Sequence, residues 1–299
     1  MPTTERPGQP VVLAPGLRRV LAPNPSPLTG AGTNTYILGE GRVAVIDPGP
    51  ALPSHLDAIL AALAPGERVS HILVTHAHLD HSPLARPLAM QSGAPVLAFG
   101  PAGAGRSARM DRLAGLGGLG GGEGVDAEFA PDVRIADGET VAGDGWRLVA
   151  LHTPGHFGNH LCFLWESAAF SGDHVMGWSS SLVSPPDGDM GAYMASLDRL
   201  AHQAPSRLYP GHGDPVGDAM SRIRELAAHR RDREASIRAL LAEGPASAET
   251  LAARIYTETP PALLPAAARN VLAHLLDLME RNLVMAEGAP GILTRFRAR

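Results

Sequence analysis

Apolar residues in the first two thirds of the chain occur in short runs that alternate with turn-forming residues. These runs predict strands at residues 11–20, 35–38, 43–46, 71–74, 96–98, 133–135, 146–151, 161–165, 168–170 and 207–209. Apolar positions at helical spacing predict helices at residues 56–63, 84–91 and 192–203. We therefore expect residues 1–217 to form a mixed α/β domain that is rich in strands.

The pattern becomes helical after Asp218. Helices are predicted at residues 219–241, 248–256 and 262–283, and a short strand pair at 284–286 and 292–296. Three helices followed by a hairpin indicate a winged-helix-like C-terminal domain over residues 218–299. A helical cap on the first domain is an equally good interpretation. The densest basic cluster, residues 230–234, is partly balanced by acidic side chains and is interpreted as a solvated face.

Composition limits the partners, the structural cross-links and the cellular location to be expected of this chain. The net charge of −5 gives no global attraction to nucleic acid. All 25 basic residues are arginine, a bias typical of a GC-rich bacterial genome. The single cysteine, Cys162, excludes an internal disulfide and a cysteine-rich zinc module. The polar N-terminus and the lack of ~18 uninterrupted apolar residues argue against a signal peptide and a membrane span. We expect a cytoplasmic protein without a membrane partner.

Residues 115–124 are mostly glycine and contain Gly-x-Gly patterns. A dinucleotide-binding loop would follow a strand and open a helix, and this stretch does neither in the predicted arrangement. We interpret it as a mobile surface loop.

The segment from Thr75 to His81 holds three histidines and one aspartate directly after an apolar run. Imidazole and carboxylate are the groups that bind zinc and similar first-row metals. His76 and His78 could not converge from a helix, because residues two apart do not share a helical face. A loop that leaves a buried strand could aim both at one point. The segment therefore predicts the first part of a metal site, formed by His76, His78, Asp80 and His81.

Three more candidate ligands share this local setting. His156, Asp173 and His212 each follow an apolar strand and are directly preceded by glycine. Glycine lets the backbone turn sharply and approach a site closely. Side chains at the carboxyl ends of neighbouring strands can converge on one crevice. We therefore expect these three residues to complete the site.

Seven ligands are more than one ion needs. A tetrahedral zinc ion takes three or four, so seven can hold two ions if one carboxylate is shared. Two metals about 3.5–4 Å apart can hold a bridging hydroxide that attacks a phosphodiester, ester or thioester. We predict a hydrolase with two Zn²⁺ per chain, iron or manganese being the alternatives, and these ligands: His76, His78, Asp80, His81, His156, Asp173 and His212.

The remaining histidines receive other interpretations. His160 and His174 lie near ligands in the sequence and are candidates for supporting hydrogen bonds. Trp178, Tyr193 and residues 184–187 are expected to line one wall of the cleft, because they follow Asp173. Six histidines are interpreted as structural: His55, His71, His152, His202, His229 and His274.

Four motifs together resemble those of the metallo-β-lactamase superfamily: His76-x-His78-x-Asp80-His81, Thr153-Pro154-Gly155-His156, Ser171-Gly172-Asp173 and Pro210-Gly211-His212-Gly213. The resemblance covers most of residues 30–215. It implies a four-layered αβ/βα sandwich with a metal site at one edge of two sheets. It also implies a division of the ligands, with His76, His78 and His156 on the first metal, Asp80, His81 and His212 on the second, and Asp173 between them. Asp80 would orient the hydroxide and move protons, which makes it the candidate catalytic residue.

A finer resemblance concerns the substrate. Residues 24–27, 32–36 and 209–213, with the winged-helix-like C-terminus, resemble the lactamase-β-like-2 branch, which includes an endoribonuclease that prefers single strands. The glyoxalase II branch, which hydrolyses hydroxyacyl-glutathione thioesters, shares the metal motifs. The resemblance thus implies single-stranded RNA or a small-molecule ester, thioester or lactone as substrate. The acidic metal domain and the absence of lysine weaken the RNA hypothesis, because phosphate binding depends on clustered positive charge.

Two further expectations complete the set. A non-catalytic binding protein that keeps an idle metal site is the hypothesis from another class. A homodimer is the default assembly, because two-fold symmetric dimers are the commonest oligomers.

Overall fold

The first domain is built on two β-sheets that pack face to face. The computed structural model describes residues 6–116, 119–122 and 124–299. The first sheet has seven strands, adjacent in chain order: β1 (Pro10–Ala14), β2 (Leu17–Leu21), β3 (Asn34–Leu38), β4 (Arg42–Ile46), β5 (Arg68–Leu73), β6 (Val96–Ala98) and β7 (Val133–Arg134). Strands β1 to β4 pair antiparallel, whereas β4 to β7 pair parallel.

The second sheet has five strands. They are β8 (Thr140–Gly143), β9 (Trp146–His152), β10 (Leu161–Trp165), β11 (Ala168–Gly172) and β12 (Arg207–Pro210). Their order in the sheet is β12–β11–β10–β9–β8. Strands β11 and β12 are parallel, and the other neighbours are antiparallel.

Alternation along the strands builds the layers. Val43 and Val45 of β4 pack towards helices α1 (Pro53–Ala61) and α2 (Ala85–Ser92), whereas Ala44 and Ile46 pack between the sheets. The outer face of the second sheet packs on α4 (Met190–His202) and α5 (Ala219–Glu243). Strands buried on both faces have continuous apolar sequences, which explains the runs in this chain. The predicted four-layered αβ/βα sandwich is confirmed.

Several predicted elements differ from those in the structure. The strand predicted at residues 11–20 is a hairpin, because Gly16 adopts φ 69° and turns the chain between β1 and β2. Helix α3 (Ala108–Gly115) was not predicted; the Ser107 hydroxyl begins it by accepting a hydrogen bond from the Met110 amide. The predicted glycine loop at 115–124 therefore begins inside a helix. Of that stretch, Gly117, Gly118 and Glu123 lie outside the described residues, and Leu119 is buried.

The C-terminal segment has a core of its own. After α5 come β13 (Ala246–Ser247), α6 (Ala248–Ile255), a short 3₁₀ helix (Pro261–Leu263), α7 (Leu264–Glu280), β14 (Val284–Ala286) and β15 (Arg295–Ala298). The small sheet has the order β13–β15–β14, and Leu272 and Phe296 are fully buried in this core. The predicted winged-helix architecture is present. The last strand lies at 295–298 rather than at 292–296.

Helix α5 belongs to both cores. Ile223 and Leu226 in its first half pack against the second sheet, whereas Ile237 and Leu241 pack in the C-terminal core. The boundary predicted between residues 217 and 218 thus falls just before a helix that both domains share. The prediction that residues 230–234 form a solvated face is wrong for Arg230, which is only 1% exposed.

One helical stretch is apolar enough to cross a membrane by length and composition. It is Pro261–Glu280, the sole such stretch among the described residues. Its apolar window is 56% buried inside the protein, where Leu272 and Leu275 pack in the C-terminal core. A helix that is buried to this extent packs as a core helix of the protein.

One edge of the sandwich collects the strand ends that precede the candidate ligands. Strands β4 and β5 end side by side in the first sheet, and β9, β11 and β12 run in one direction in the second. Backbone hydrogen bonds join the sheets here: the Leu161 amide donates to the Thr75 carbonyl, and the Asn34 amide donates to the Gly211 carbonyl, both at 2.8 Å. Loops from both sheets therefore meet at one place.

Candidate metal centre

The segment from Thr75 to His81 leaves β5 as a loop. The Thr75 amide donates to Asp47 Oδ1 at 2.7 Å, and the Ala77 amide donates to Asn159 Oδ1 at 3.2 Å. The His81 amide donates to the His78 carbonyl at 2.9 Å, which closes a turn. The predicted loop is confirmed, and it lets side chains two residues apart point to the same side.

The first cluster contains three imidazoles. His76 Nε2 lies 2.9 Å from His78 Nδ1, which lies 3.1 Å from His156 Nε2. With Zn–N distances of about 2.0–2.1 Å, tetrahedral ligands sit about 3.3 Å apart. The three nitrogens are therefore spaced as ligands of one small cation would be.

The second cluster contains one carboxylate and two imidazoles. His212 Nε2 lies 3.2 Å from Asp80 Oδ2 and 3.3 Å from His81 Nε2. His81 Nε2 lies 3.7 Å from Asp80 Oδ2. These separations also match the edges of a ligand tetrahedron around one ion. His81 and His212 are buried, whereas the Asp80 side chain is 28% exposed and reaches the mouth of the site.

Asp173 lies between the two clusters. Its Oδ1 is 3.4 Å from His81 Nε2, and its Oδ2 is 3.3 Å from His212 Nε2 and 3.8 Å from His156 Nε2. Asp173 Oδ1 is buried and makes no hydrogen bond within the described part of the chain. A buried carboxylate oxygen without a donor is costly unless a cation satisfies it. The donor set therefore fits two first-row metal ions with Asp173 shared.

The two clusters differ in protonation. Burial, followed by the neighbouring imidazoles, holds the pKa of His76 well below its ordinary value, and burial lowers the pKa of His78 to about 3. These rings are neutral, which is the form that binds a metal. Burial also opposes the charged forms of His81 and His212, but Asp80 and Asp173 outweigh it. The pKa of His81 is raised well above its ordinary value, and the pKa of His212 is raised to about 9.

Hydrogen bonds behind the ligands set their orientation. The Nδ1 atom of His156 donates to the Leu182 carbonyl at 2.6 Å, and the Nδ1 atom of His212 donates to the Gly32 carbonyl at 3.1 Å. His76 Nδ1 lies 2.9 Å from the Thr75 hydroxyl. In neutral His76 and His156 the proton on Nδ1 leaves the Nε2 lone pair for a metal. His212, whose pKa is raised, would release its Nε2 proton when a metal binds.

Asp47 is a residue that the sequence interpretation missed. Its Oδ2 lies 3.0 Å from His81 Nδ1 and accepts a hydrogen bond from the Thr75 hydroxyl at 2.8 Å. Asp47 has a positive φ of 49°, which places its carboxylate under the loop that follows β5. Asp47 directly follows β4, as the predicted ligands follow their strands, but Pro48-Gly49 comes after it and no glycine directly precedes it. Its position directly after a buried strand was the signal in the sequence that could have identified Asp47.

Glycine at position 211 is required by space. A Cβ at Gly211 would lie 2.4 Å from Asp173 Oδ1 and 2.7 Å from His81 Cε1. The backbone before His212 thus runs directly against two candidate ligands, as the Gly-His pattern predicted.

The other histidines lie outside the two clusters. His160 stands behind His76 with ring centroids 5.1 Å apart, and its Nδ1 lies 2.9 Å from the Thr153 hydroxyl. His174 is buried against Tyr193. Their supporting roles remain predictions. His55 Nε2 contacts the Thr35 hydroxyl at 2.8 Å, in keeping with a structural role.

Three exposed apolar side chains border the site. Leu79, between two candidate ligands, is 51% exposed. Trp178 is 47% exposed and packs on the backbone of Gly213 and Gly30, while Leu28 in the adjoining turn is 55% exposed. The expectation that Tyr193 lines the cleft is wrong, because it is fully buried and its hydroxyl donates to the His174 carbonyl.

Comparisons with known proteins agree with this geometry. Residues 28–212 match the "Metallo-beta-lactamase superfamily", and residues 247–292 match the "Beta-lactamase associated winged helix domain". The chain is 31% identical over 277 residues to the Beta-lactamase-like protein 2 homolog of Drosophila melanogaster, with 87% of this chain and 86% of that protein covered. It is also 31% identical over 229 residues to the atrochrysone carboxyl ACP thioesterase dmxR1 of Cryptosporiopsis sp. (strain 8999). That alignment covers 75% of this chain and 62% of the relative.

Solved structures resemble this chain over most of its length. The metallo-beta-lactamase family protein TTHA1429 from Thermus thermophilus superposes with a TM-score of 0.77 at 28% identity, covering 96% of this chain and 100% of that one. The protein TTHA1623 in a di-iron-bound form superposes with a TM-score of 0.50 at 28% identity, covering 68% of this chain and 96% of that one. The family match spans more than half of the chain and includes all seven candidate ligands. The chain therefore belongs to the metallo-beta-lactamase superfamily, whose members are mostly hydrolases.

Proposed function

We propose that this protein is a dinuclear metal-dependent hydrolase that cleaves a thioester or ester with an apolar acyl group. The observation that carries the proposal is the position of Asp173 between the clusters. Both of its carboxylate oxygens lie within 3.4 Å of a nitrogen of the second cluster, and Oδ2 also lies 3.8 Å from His156 Nε2 of the first. We assign His76, His78 and His156 to one ion and Asp80, His81 and His212 to the other. Zinc fits the nitrogen-rich donor set, and iron is the alternative because a relative was solved in a di-iron-bound form.

The chain's own residues have distinct parts in this proposal. A bound metal pair would supply Lewis acidity and make a water molecule acidic enough to react near neutral pH. Although burial opposes ionisation, His81 and His212 hold the pKa of Asp80 below its ordinary value, so its carboxylate is ionised, which is the state that a proton acceptor requires. Asp80 would take the proton from the attacking water as the C–O bond forms. It would then give that proton to the leaving sulfur or oxygen as the acyl bond breaks.

The surroundings of the site favour an apolar acyl group. Leu79, Trp178 and Leu28 border the cluster with exposed apolar surface, which suits an acyl chain better than a phosphate backbone. Asp214, two residues after His212, is 53% exposed and forms an ion pair with the buried Arg19 at 3.6 Å, so this arginine is not available to a phosphate. Phosphate binding depends on clustered cations. The relative named as an acyl-carrier thioesterase gives the same indication for this chain.

Cleavage of single-stranded RNA is the second candidate, and one observation favours it. Arg295, Arg297 and Arg299 alternate along and beyond the exposed side of β15, opposite the buried Phe296. A basic strand on the wing of a winged-helix domain could hold a phosphate backbone. The exposed apolar side chains of Leu79, Trp178 and Leu28 beside the metal centre weigh against this candidate.

A direct competition of substrates tests the proposal. Zinc-replete protein is offered acyl thioesters of short and medium chain length and a labelled single-stranded RNA, with His76→Ala as the inactive control. We expect two bound ions per chain and turnover of the thioesters, faster with the longer chain. Fewer than one ion per chain, or turnover of the RNA alone, would overturn the proposal.

A further inference from the structure

A segment of three residues, Ser181–Leu182–Val183, joins the C-terminal domain to the candidate metal centre. It belongs to the connection between β11 and α4, and Ser181 and Val183 are fully buried. On one side the segment contacts candidate ligands or their neighbours. On the other side it contacts α5 and α7. We define it as the bridging segment.

The contacts towards the metal centre are hydrogen bonds. The carbonyl of Leu182 accepts the Nδ1 proton of His156 at 2.6 Å, which ties the ring of this candidate ligand to the backbone of the segment. The Ser181 hydroxyl donates to the carbonyl of His174 at 3.0 Å, one residue after Asp173. The Tyr193 hydroxyl donates to the same carbonyl at 3.0 Å, so the backbone after Asp173 has two donors.

The contacts towards the C-terminal domain involve two side chains. Arg230 of α5 donates to the Ser181 carbonyl, and its guanidinium carbon lies 5.2 Å from the centre of the Tyr193 ring. Asn270 of α7 accepts the Val183 amide proton through Oδ1 at 2.9 Å. Arg230 also reaches this oxygen at 3.4 Å. Both ends of the bridging segment are thus held by the C-terminal domain.

A buried arginine here has a cost that packing alone does not explain. Arg230 is 1% exposed, and its Nε makes no hydrogen bond within the described part of the chain. An apolar side chain of similar volume would fill the space without desolvating a guanidinium. Unlike an apolar side chain, the arginine can donate a directional hydrogen bond to the Ser181 carbonyl.

We propose that Arg230 and Asn270 are positioning residues through which the C-terminal domain sets the orientation of His156 and hence the metal affinity of the first cluster. The inference rests on the metal centre proposed above. Hydrogen-bond partners behind a metal-binding histidine typically change affinity about 10–100-fold when they are lost. The effect falls on the first cluster, because His156 bonds directly to the bridging segment, whereas His81 and His212 are held by Asp47 and by the Gly32 carbonyl.

Stepwise zinc binding tests this inference. The two dissociation constants are measured by competition with a chromophoric chelator. His156→Ala and His212→Ala identify which constant belongs to which cluster. We expect Arg230→Met and Asn270→Ala each to weaken the constant identified by His156→Ala by about tenfold, the lower end of this range, because the Leu182 carbonyl itself remains. The other constant should change by less than about threefold.

A matched control separates positioning from general stability. Arg281→Met removes another arginine, which joins Glu234 of α5 at 2.7 Å to Asp277 of α7 at 3.0 Å without contacting the bridging segment. It should leave both zinc constants unchanged. An unchanged first constant in folded Arg230→Met and Asn270→Ala would overturn the inference, as would an equal loss at both clusters. The absence of two zinc ions from the unsubstituted protein would instead overturn the proposed function.

The unsubstituted protein offers a second readout if these variants fail to fold. Coupling between two sites is reciprocal. If the contacts of the bridging segment with α5 and α7 strengthen zinc binding, then bound zinc must stabilise those contacts by the same free energy. We expect zinc loading to slow amide hydrogen exchange at Val183 and in the peptides that contain Arg230 and Asn270. Unchanged exchange in all three regions, with two ions bound, would overturn the inference.

Discussion

Asp47 holds His81 from behind the candidate metal centre, with Oδ2 3.0 Å from His81 Nδ1. The other carboxylate oxygen accepts the Thr75 amide at 2.7 Å, so the same residue also fixes the start of the ligand loop. A carboxylate at Nδ1 orients the ring and makes Nε2 a better electron donor. The relationship links β4 to the loop after β5 and gives His81 one defined orientation.

Replacement of Asp47 should weaken the binding of one metal ion. In Asp47→Asn the side-chain amide keeps the size of the carboxylate but loses its charge and one acceptor. We expect about 10–100-fold weaker binding at the cluster that contains His81, measured by chelator competition and by metal content after dialysis. Asp198→Asn, at an exposed position on α4, is the matched control. Equal metal content in the two variants would contradict the role assigned to Asp47.

A methyl group at position 211 should disturb the shared carboxylate. In Gly211→Ala the new Cβ would lie 2.4 Å from Asp173 Oδ1, which forces the ligand or the backbone to move. We expect at least about tenfold weaker metal binding and loss of hydrolysis, with an unchanged circular dichroism spectrum. In Gly217→Ala the added Cβ meets nothing within 4 Å, so this variant should behave like the parent protein. Full metal loading of Gly211→Ala would show that the close approach is not limiting.

Removal of Trp178 should affect substrate binding rather than metal binding. Loss of its apolar surface in Trp178→Ala should cost about 1.5 kcal/mol for a medium-chain acyl thioester, or about tenfold in KM. Metal content should not change, because the ring contacts Gly30 and Gly213 and is not a ligand. Met90→Ala, which removes an 81% exposed side chain on α2, is the control. A KM that stays constant across acyl chain lengths in both variants would count against the apolar border.

His55 should make the fold sensitive to acid. Burial lowers its pKa to about 4 from an ordinary value of 6.5, so the unfolded chain takes up this proton first as the pH falls. The contribution of neutral His55 to the free energy of unfolding is therefore fully present above about pH 6.5 and is lost as the pH falls towards 4. Between pH 7 and pH 5 we expect His55 to account for a loss of about 2 kcal/mol in the free energy of unfolding.

Urea denaturation in the presence of chelator measures this loss without a contribution from metal release. The matched variant is His55→Gln, because glutamine can donate to the Thr35 hydroxyl and does not titrate. Its stability should fall by about 2 kcal/mol less than that of the parent over the same pH interval. Identical pH profiles would mean that another group carries the dependence.

The ligand motif could be predicted because its information is local. A run of apolar residues followed by His76, His78, Asp80 and His81 excludes a helix and indicates a loop after a buried strand. His156, Asp173 and His212 carried the same local signature, and the structure brings all seven into adjoining clusters. Asp47 shares only the position after an apolar strand, and an aspartate before Pro-Gly is also the ordinary composition of a turn.

Long-range packing is what the sequence could not supply. Arg230 lies among alternating charges in the sequence, a pattern that predicts a solvated face. In the structure it lies on the buried side of α5 and donates to the Ser181 carbonyl. Likewise nothing local distinguishes Tyr193, which is buried, from Trp178, which borders the site. Such outcomes depend on which surfaces two domains cover when they pack.

The sequence by itself determined which residues are candidate ligands and where most strands and helices lie, because these are properties of short segments. The two-sheet sandwich was predicted from the resemblance of four motifs to a known family, and the winged-helix architecture from three helices and a hairpin. The tertiary structure alone decided which hydrogen bonds stand behind each ligand, how the apolar side chains border the site, and how the C-terminal domain reaches His156 through the bridging segment. Those relationships join residues that are far apart in the chain, 26 positions for Leu182 with His156 and 131 for His212 with His81, and only the folded chain brings them within bonding distance.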